Sequence, residues 1–370
     1  MSSAEPPASG RPSSSGRVPP PLIVVGAERS GTTLVATLLG KHSAYAALPE
    51  THLYRLVIPW IPRDAAAAAV AQLVAESERW TDFGLDFDEL EAGIRERIDA
   101  GLAPGVAAFR AACELQAAKA GKAQFVEKTP AHLLHIPRIL DELPDARFIV
   151  VVRDARDVCR SLLKAPWNVA TLPALAARWR RAVLEGNGSL ERFPTRGLLV
   201  RFEDVVLQPR ETLQRMCDHA GVAFEEGMLR PTDSASTVPD WERAWKDRAT
   251  GPMDPGRVFA WRRTSDDASV RHVSWVCRDT LATLGYPPGP KLSSREQRHT
   301  MLPRFREYLR HHPLVSIAIM KRPARTKAQR VLGLLWSWRG RRRAALASFD
   351  LERLETQSDK AREGTVRPVP

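Results

Sequence analysis

Apolar positions along the chain follow two periods. PPLIVVGAERS carries a β-branched apolar run ending in Gly26, and such a run closed by a turn residue predicts a buried strand. TTLVATLLGKHS follows with apolar residues at helical spacing, which predicts a helix stopping near Gly40. RFIVVVRD predicts a second buried strand, with Asp154 placed to cap the helix ARDVCRSLLK. PALAARWRRAVLEGN predicts a helix ending near Gly186, RGLLVRFEDVV a third strand, and ETLQRMCDHAGV a further helix. Residues 61 to about 122 are rich in Ala, Glu and Arg and predict helices interrupted by Gly and Pro. Strands alternating with helices imply an α/β fold whose parallel sheet is covered on both faces. No internal repeat is present in the sequence.

The first 20 residues break this pattern. They are polar, rich in Pro and Ser, and hold no apolar run, so a disordered leader is expected rather than a secretory signal. With 370 residues, 44% of them hydrophobic, the chain has enough material for one large domain with appendages. Its four cysteines, Cys113, Cys159, Cys217 and Cys277, are far apart and form no C-x-x-C pair, which argues for reduced thiols and against a zinc site. No apolar stretch of about eighteen residues occurs, so no membrane-spanning helix is expected and a cytoplasmic placement is the default.

Charge is distributed unevenly. Between Met301 and Ala345 twelve cations stand against Glu307, which places +11 of the formal +12 in that segment. The remainder is close to neutral, so a nucleic-acid partner is not expected, and a basic C-terminal appendage is. Within it, QRVLGLLWSWRGRRRAAL puts Val331, Leu334, Leu335 and Trp338 near one helical face flanked by arginines. Such a helix either lies peripherally on an anionic membrane or docks on its own body or on a second copy of the chain.

The candidate chemistry starts at GAERSGTTL, residues 26 to 34. A nucleotide-hydrolysing P-loop reads G-x-x-x-x-G-K-[ST]. Here Gly26 and Gly31 keep the glycine spacing and Thr33 the hydroxyl, but Thr32 takes the lysine position and the cation is Arg29. A loop between a strand and a helix N-terminus directs N–H groups at an anion. Ser30, Gly31, Thr32 and Thr33 are thus placed to surround a tetrahedral anion, with Arg29 adding a fixed charge. Downstream, VVRDARDVCRS places Arg153 at a strand's carboxyl end and Ser161 eight residues later. Ligands of open parallel sheets bind at that end, so Arg153 and Ser161 are candidates for a second phosphate. Two phosphate sites suit a nucleotide phosphorylated at both ends of its ribose.

These motifs resemble those of the sulfotransferases that use 3′-phosphoadenosine 5′-phosphosulfate (PAPS). GAERSGTTL is similar to the family's 5′-phosphosulfate loop and VVRDARDVCRSLL to its 3′-phosphate motif. FVEKTPAHLLHIPRILDELPDARF resembles the segment that carries a lysine, here Lys128 at a strand end. LLVRFEDVVLQPRETLQRMCDHAGV resembles the later strand–helix unit. The resemblance spans roughly residues 21 to 290, and its motif layout is similar to that of tyrosylprotein sulfotransferases and related bacterial enzymes.

The resemblance implies a P-loop-like three-layer α/β/α sandwich over 21–290, with 51–122 as a helical acceptor-side region; the composition beyond it implies a basic helical tail over 291–370. It implies PAPS as sulfuryl donor and no required metal. Arg29 and Lys128 would contact the transferring group, Arg153 and Ser161 the 3′-phosphate, and Glu50, in LPETHLYR, would take the proton from the acceptor hydroxyl. His52 is the rival base. In the later loop GPMDPGRVFAWRR, Phe259 stands where tyrosylprotein enzymes have a serine, and Arg257 is assigned to the 3′-phosphate. The competing expectations are a P-loop hydrolase or kinase, disfavoured by Thr32, and a nucleotide-binding scaffold without catalysis. Trp179 reads as core or adenine-adjacent packing.

Overall fold

A computed structural model describes residues 18–165, 168–230, 253–264 and 268–292. The expected leader up to residue 17 and the basic tail from residue 293 lie outside the described residues. The described residues divide into two compact units. One takes residues 18–25, 31–151, 188–230 and 253, and the other 26–30, 152–187 and 254–292.

The first unit is built on a five-stranded sheet in the order β2-β3-β1-β4-β5. Its strands are β1 (Leu22–Gly26), β2 (Tyr45–Ala47), β3 (Gln124–Lys128), β4 (Arg147–Val152) and β5 (Gly197–Arg201). β1 runs parallel to β3 with Leu22 opposite Val126, and β2 runs parallel to β3 with Tyr45 opposite Gln124. LIVVG in β1 and FIVVV in β4 are buried throughout, as expected of strands covered on both faces. The sequence pattern did not predict β2. Its three residues, YAA, hold a strand only by pairing with β3.

Helices flank this sheet. α1 (Thr32–Gly40) ends at the predicted glycine, and with α6 (Pro104–Lys119) it packs on β2 and β3. The helices predicted between 61 and 122 are α3 (Ala67–Ala75), α4 (Trp80–Phe83), α5 (Phe87–Asp99) and α6, and the short α2 (Leu53–Leu56) precedes them. α3, α5 and α6 pack on one another. Asp86 caps α5 by accepting from the Asp88 and Glu89 N–H groups, and Pro104 opens α6, where its missing donor costs nothing. α7 (Ile136–Glu142) leads into β4. After β5 come α10 (Phe202–Leu207) and α11 (Pro209–Ala220), both packed on β5. The architecture is an α/β sandwich with a central parallel sheet.

The second unit holds α8 (Ala155–Leu163), most of α9 (Leu172–Arg192), residues 254–264 and the helices Ala268–Val276 and Arg278–Thr283. Asp154 caps α8 through the Arg156 N–H, as predicted. The same carboxylate forms a fork with the fully buried Arg156, whose Nε and NH2 donate at 2.7 and 2.5 Å. The Arg156 guanidinium lies 3.8 Å from the centre of the Trp261 ring, and Trp261 Nε1 donates to Asp154 at 3.1 Å. Asp157 accepts from the Ala260 and Trp261 backbone N–H groups. Residues 254–264 are thereby tied to the start of α8.

Two element boundaries differ from expectation. RGLLVRFEDVV is a strand only to Arg201; Phe202–Leu207 is helical because Glu203 and Asp204 suit a first turn and Phe202, Val205 and Val206 bury one face. α9 does not stop near Gly186 but runs to Arg192. Positions 175, 176, 179, 183, 186 and 189 form its buried stripe, so Gly186 belongs to a packed face rather than to an end. All four cysteines are free and buried. Among the described residues no helix is long and apolar enough to cross a membrane.

Candidate active site

The glycine-spaced loop crosses from the second unit to the first, its backbone continuous. In the second unit, Arg29 adopts φ 65°, the left-handed region that non-glycine residues seldom enter. Its Nε donates to Ser161 Oγ at 3.1 Å, joining two motifs 132 residues apart. Its carbonyl accepts from Arg153 NH1 at 3.4 Å. Arg153 NH2 donates to the Arg257 carbonyl at 3.0 Å, and the Arg153 carbonyl accepts from Trp179 Nε1 at 2.9 Å. Arg29, Arg153, Ser161 and Arg257 are therefore one hydrogen-bonded group. Trp179, buried to 1% exposure, is the core residue that holds Arg153 in place. Burial raises Asp157 above the ordinary carboxylate range, and the nearby Arg153 charge opposes that rise.

Ser30 is fully buried, and its Oγ has no hydrogen-bond partner among the described residues. Buried hydroxyls ordinarily find one. In the first unit, Gly31 caps α1 at φ 97°, and a Cβ there would lie 2.4 Å from the Phe202 ring. The position thus demands glycine on two counts. Thr32 is buried and Thr33 half-buried. The first turn of α1 holds no acidic side chain, which leaves its N-terminus suited to an external anion. In the second unit the buried Ser30 hydroxyl and the hydrogen-bonded arginine group suit an anion, and in the first unit so does the glycine-capped start of α1.

The first unit also holds a carboxylate group. Glu50 Oε1 accepts from Lys128 Nζ at 2.6 Å, and Glu50 Oε2 lies 3.0 Å from His52 Nε2. Arg79 NH2 stands 3.4 Å from the same His52 nitrogen and its NH1 3.4 Å from Asp82. Lys128 ends β3, and Glu50 and His52 lie between β2 and α2, so the parallel pairing of β2 with β3 sets both segments. The two candidate bases are in contact, and Lys128 shares the carboxylate with His52.

Phe259 and Arg257 occupy the segment held by Asp157 and Trp261. Phe259 has φ 48°, and its ring packs edge-on to Tyr286 with Arg262 over its face at 4.7 Å. Sequence reasoning missed Glu127, Thr51, Thr129 and His132, a buried network behind Glu50 and Lys128. A signal was present: an acidic residue inside the apolar strand QFVEK must find partners. Arg79, in the helical region, carried no such signal.

A family model described as "Sulfotransferase family" matches residues 20–226, more than half of the chain. The zebrafish (Danio rerio) protein-tyrosine sulfotransferase 1 is 23% identical over 280 residues, covering 72% of this chain and 73% of that one. A Caenorhabditis elegans protein classed with the protein-tyrosine sulfotransferases is 26% identical over 111 residues, 29% of this chain; the match spans only 43% of the nematode protein. Among solved structures, the sulfotransferase domain from the curacin biosynthetic pathway superposes with a TM-score of 0.51 at 16% identity, covering 73% of this chain and 99% of that domain. That likeness concerns the fold.

Proposed function

Because this chain belongs to the sulfotransferase family, we propose that it transfers the sulfuryl group of PAPS to a hydroxyl of a carbohydrate, lipid, small-molecule or peptide acceptor. The observation that carries the reading is the Arg29–Ser161 hydrogen bond, with Arg153 on the Arg29 carbonyl. It joins the loop that resembles a 5′-phosphosulfate site to the motif that resembles a 3′-phosphate site.

PAPS, when bound, supplies the sulfuryl group. Arg29 and the N–H groups of residues 30–33 would hold its 5′ end, where the buried Ser30 hydroxyl would gain an acceptor. Arg153, Ser161 and Arg257 would hold the 3′-phosphate. The sulfuryl group would pass from the bridging phosphate oxygen, which leaves, to the acceptor oxygen. Lys128 would neutralise the charge that grows on that leaving oxygen. Glu50 takes the acceptor proton, and His52, in contact with it, orients the carboxylate. A sulfuryl group carries less negative charge than a terminal phosphoryl group, which fits an arginine–lysine set without a P-loop lysine. A cytoplasmic setting is part of the proposal.

Calorimetric titration with 3′,5′-bisphosphoadenosine and with ATP, each with and without Mg²⁺, tests the reading. Magnesium-independent binding of the bisphosphate, weakened about ten- to a hundredfold in Arg153→Ala, is expected. Preference for Mg·ATP would instead assign the loop to phosphoryl chemistry.

A further inference from the structure

β3 contains one acidic side chain among apolar neighbours. Glu127 is fully buried, as are Thr129 and His132, and Thr51 is exposed to only 1%. Glu127 Oε1 accepts from the Thr129 hydroxyl at 2.5 Å, the Thr51 hydroxyl at 2.9 Å and the Thr51 backbone N–H at 3.4 Å. Glu127 Oε2 faces His132 Nδ1 at 3.0 Å. The His52 backbone N–H donates to Thr129 Oγ1 at 3.3 Å. One carboxylate therefore ties residues 51–52 to residues 127–129. The residues beside those ties are Glu50 and Lys128.

Strand geometry separates the roles. Successive side chains of a strand point to opposite faces, so Glu127 and the extended Thr129 share a face and Lys128 takes the other. The network grips both segments from behind while Lys128 reaches Glu50. Tyr54 and Phe109 close over His132 edge-to-face, at ring separations of 5.7 and 6.3 Å. Exclusion of water strengthens each of these hydrogen bonds. Burial alone would raise the Glu127 carboxyl, but His132 and the bonds from Thr129 and Thr51 outweigh it and hold the group below its ordinary range. The carboxylate is thus charged and fully engaged.

We propose that Glu127, seated by His132, is a positioning residue that sets the placement of Glu50 against Lys128 through Thr51 and Thr129. Its consequence for catalysis rests on the sulfuryl-transfer reading above; its geometry does not.

The test uses the full chain labelled with carbon-13 at the lysine ε position. The Lys128 signal is assigned by its absence in Lys128→Arg, and Glu50→Gln defines its position when the pair is broken. In Thr129→Val and Thr51→Val the Lys128 signal is expected to move most of the way to the Glu50→Gln position. Thr129→Ser, which keeps the hydroxyl, is expected to restore it. Thermal unfolding is followed in parallel. Lower melting temperatures in both valine variants with an unmoved Lys128 signal would mean a merely structural network and would overturn the proposal. Glu127→Gln is the harsher variant, and the threonine variants decide the matter if it fails to fold. The same samples are titrated with 3′,5′-bisphosphoadenosine: failure of the wild type to bind would sink the sulfuryl-transfer reading and leave the Lys128 result standing.

Discussion

Arg29, His52 and Phe259 are the non-glycine residues with positive φ among those described, at 65°, 52° and 48°. Each such conformation costs on the order of 1–3 kcal/mol and persists only where its surroundings impose it. All three fall in segments that the sulfuryl-transfer reading assigns to donor or acceptor. Arg29 stood out in the motif, because glycine spacing and a helix start mark a loop suited to an anion; its hydrogen bond to Ser161 was not legible. The choice between Glu50 and His52 was not legible, since both lie in one short polar stretch. Their contact at 3.0 Å turns the choice into an experiment. Transfer from radiolabelled PAPS, assayed across carbohydrate, lipid, small-molecule and peptide hydroxyls, is expected to fall about 10²–10⁴-fold in Glu50→Gln. Affinity for 3′,5′-bisphosphoadenosine is kept. A loss of that size in His52→Gln, with activity retained in Glu50→Gln, would move the base to His52.

Helices and strands divide by how local their causes are. β1, α1, β4 and α8 were readable because an apolar run, a glycine and a capping Asp154 all act within a few residues. β2 was unreadable because YAA has no strand pattern of its own and takes its form from β3. α9 was read too short because glycine is a weak local breaker, and burial of a continuous stripe overrides it. The same reasoning yields an expectation for Gly188, which lies inside α9 with open space around its Cβ position. Gly188→Ala should stabilise the protein by roughly 0.5–1 kcal/mol and raise its melting temperature by about 1–4 °C, measured by scanning calorimetry. A drop would show that the helix does not tolerate a side chain there.

Acid sensitivity belongs to the molecule as a whole. Burial, with His132, Arg138 and Arg55 nearby, pushes His135 from 6.5 down to about 4. The unfolded chain therefore binds the extra proton first, and stability falls as pH drops from about 6.5 toward about 4, by up to about 3 kcal/mol for this group. Glu127 acts with the same sign: its carboxyl sits below the usual range when folded, so its contribution is present at neutral pH and is lost as pH falls through the folded value. Melting temperatures followed from about pH 7 to about pH 4 should decline, and less steeply in His135→Gln; equal slopes would remove His135 as a cause. None of this could be read along the chain, because it depends on which side chains are buried together. The α/β alternation, the glycine-spaced loop with Arg29 and the strand–helix step with Arg153 and Ser161 follow from local spacing, since strand period, helix period and a helix N-terminus are properties of neighbouring residues. The pairing of Glu50 with Lys128, the Glu127 network behind them, the run of α9 through Gly186 and the hydrogen bond from Arg29 to Ser161 arise only on folding, when residues tens to more than a hundred positions apart are desolvated against one another and must satisfy each other's charges and hydrogen bonds.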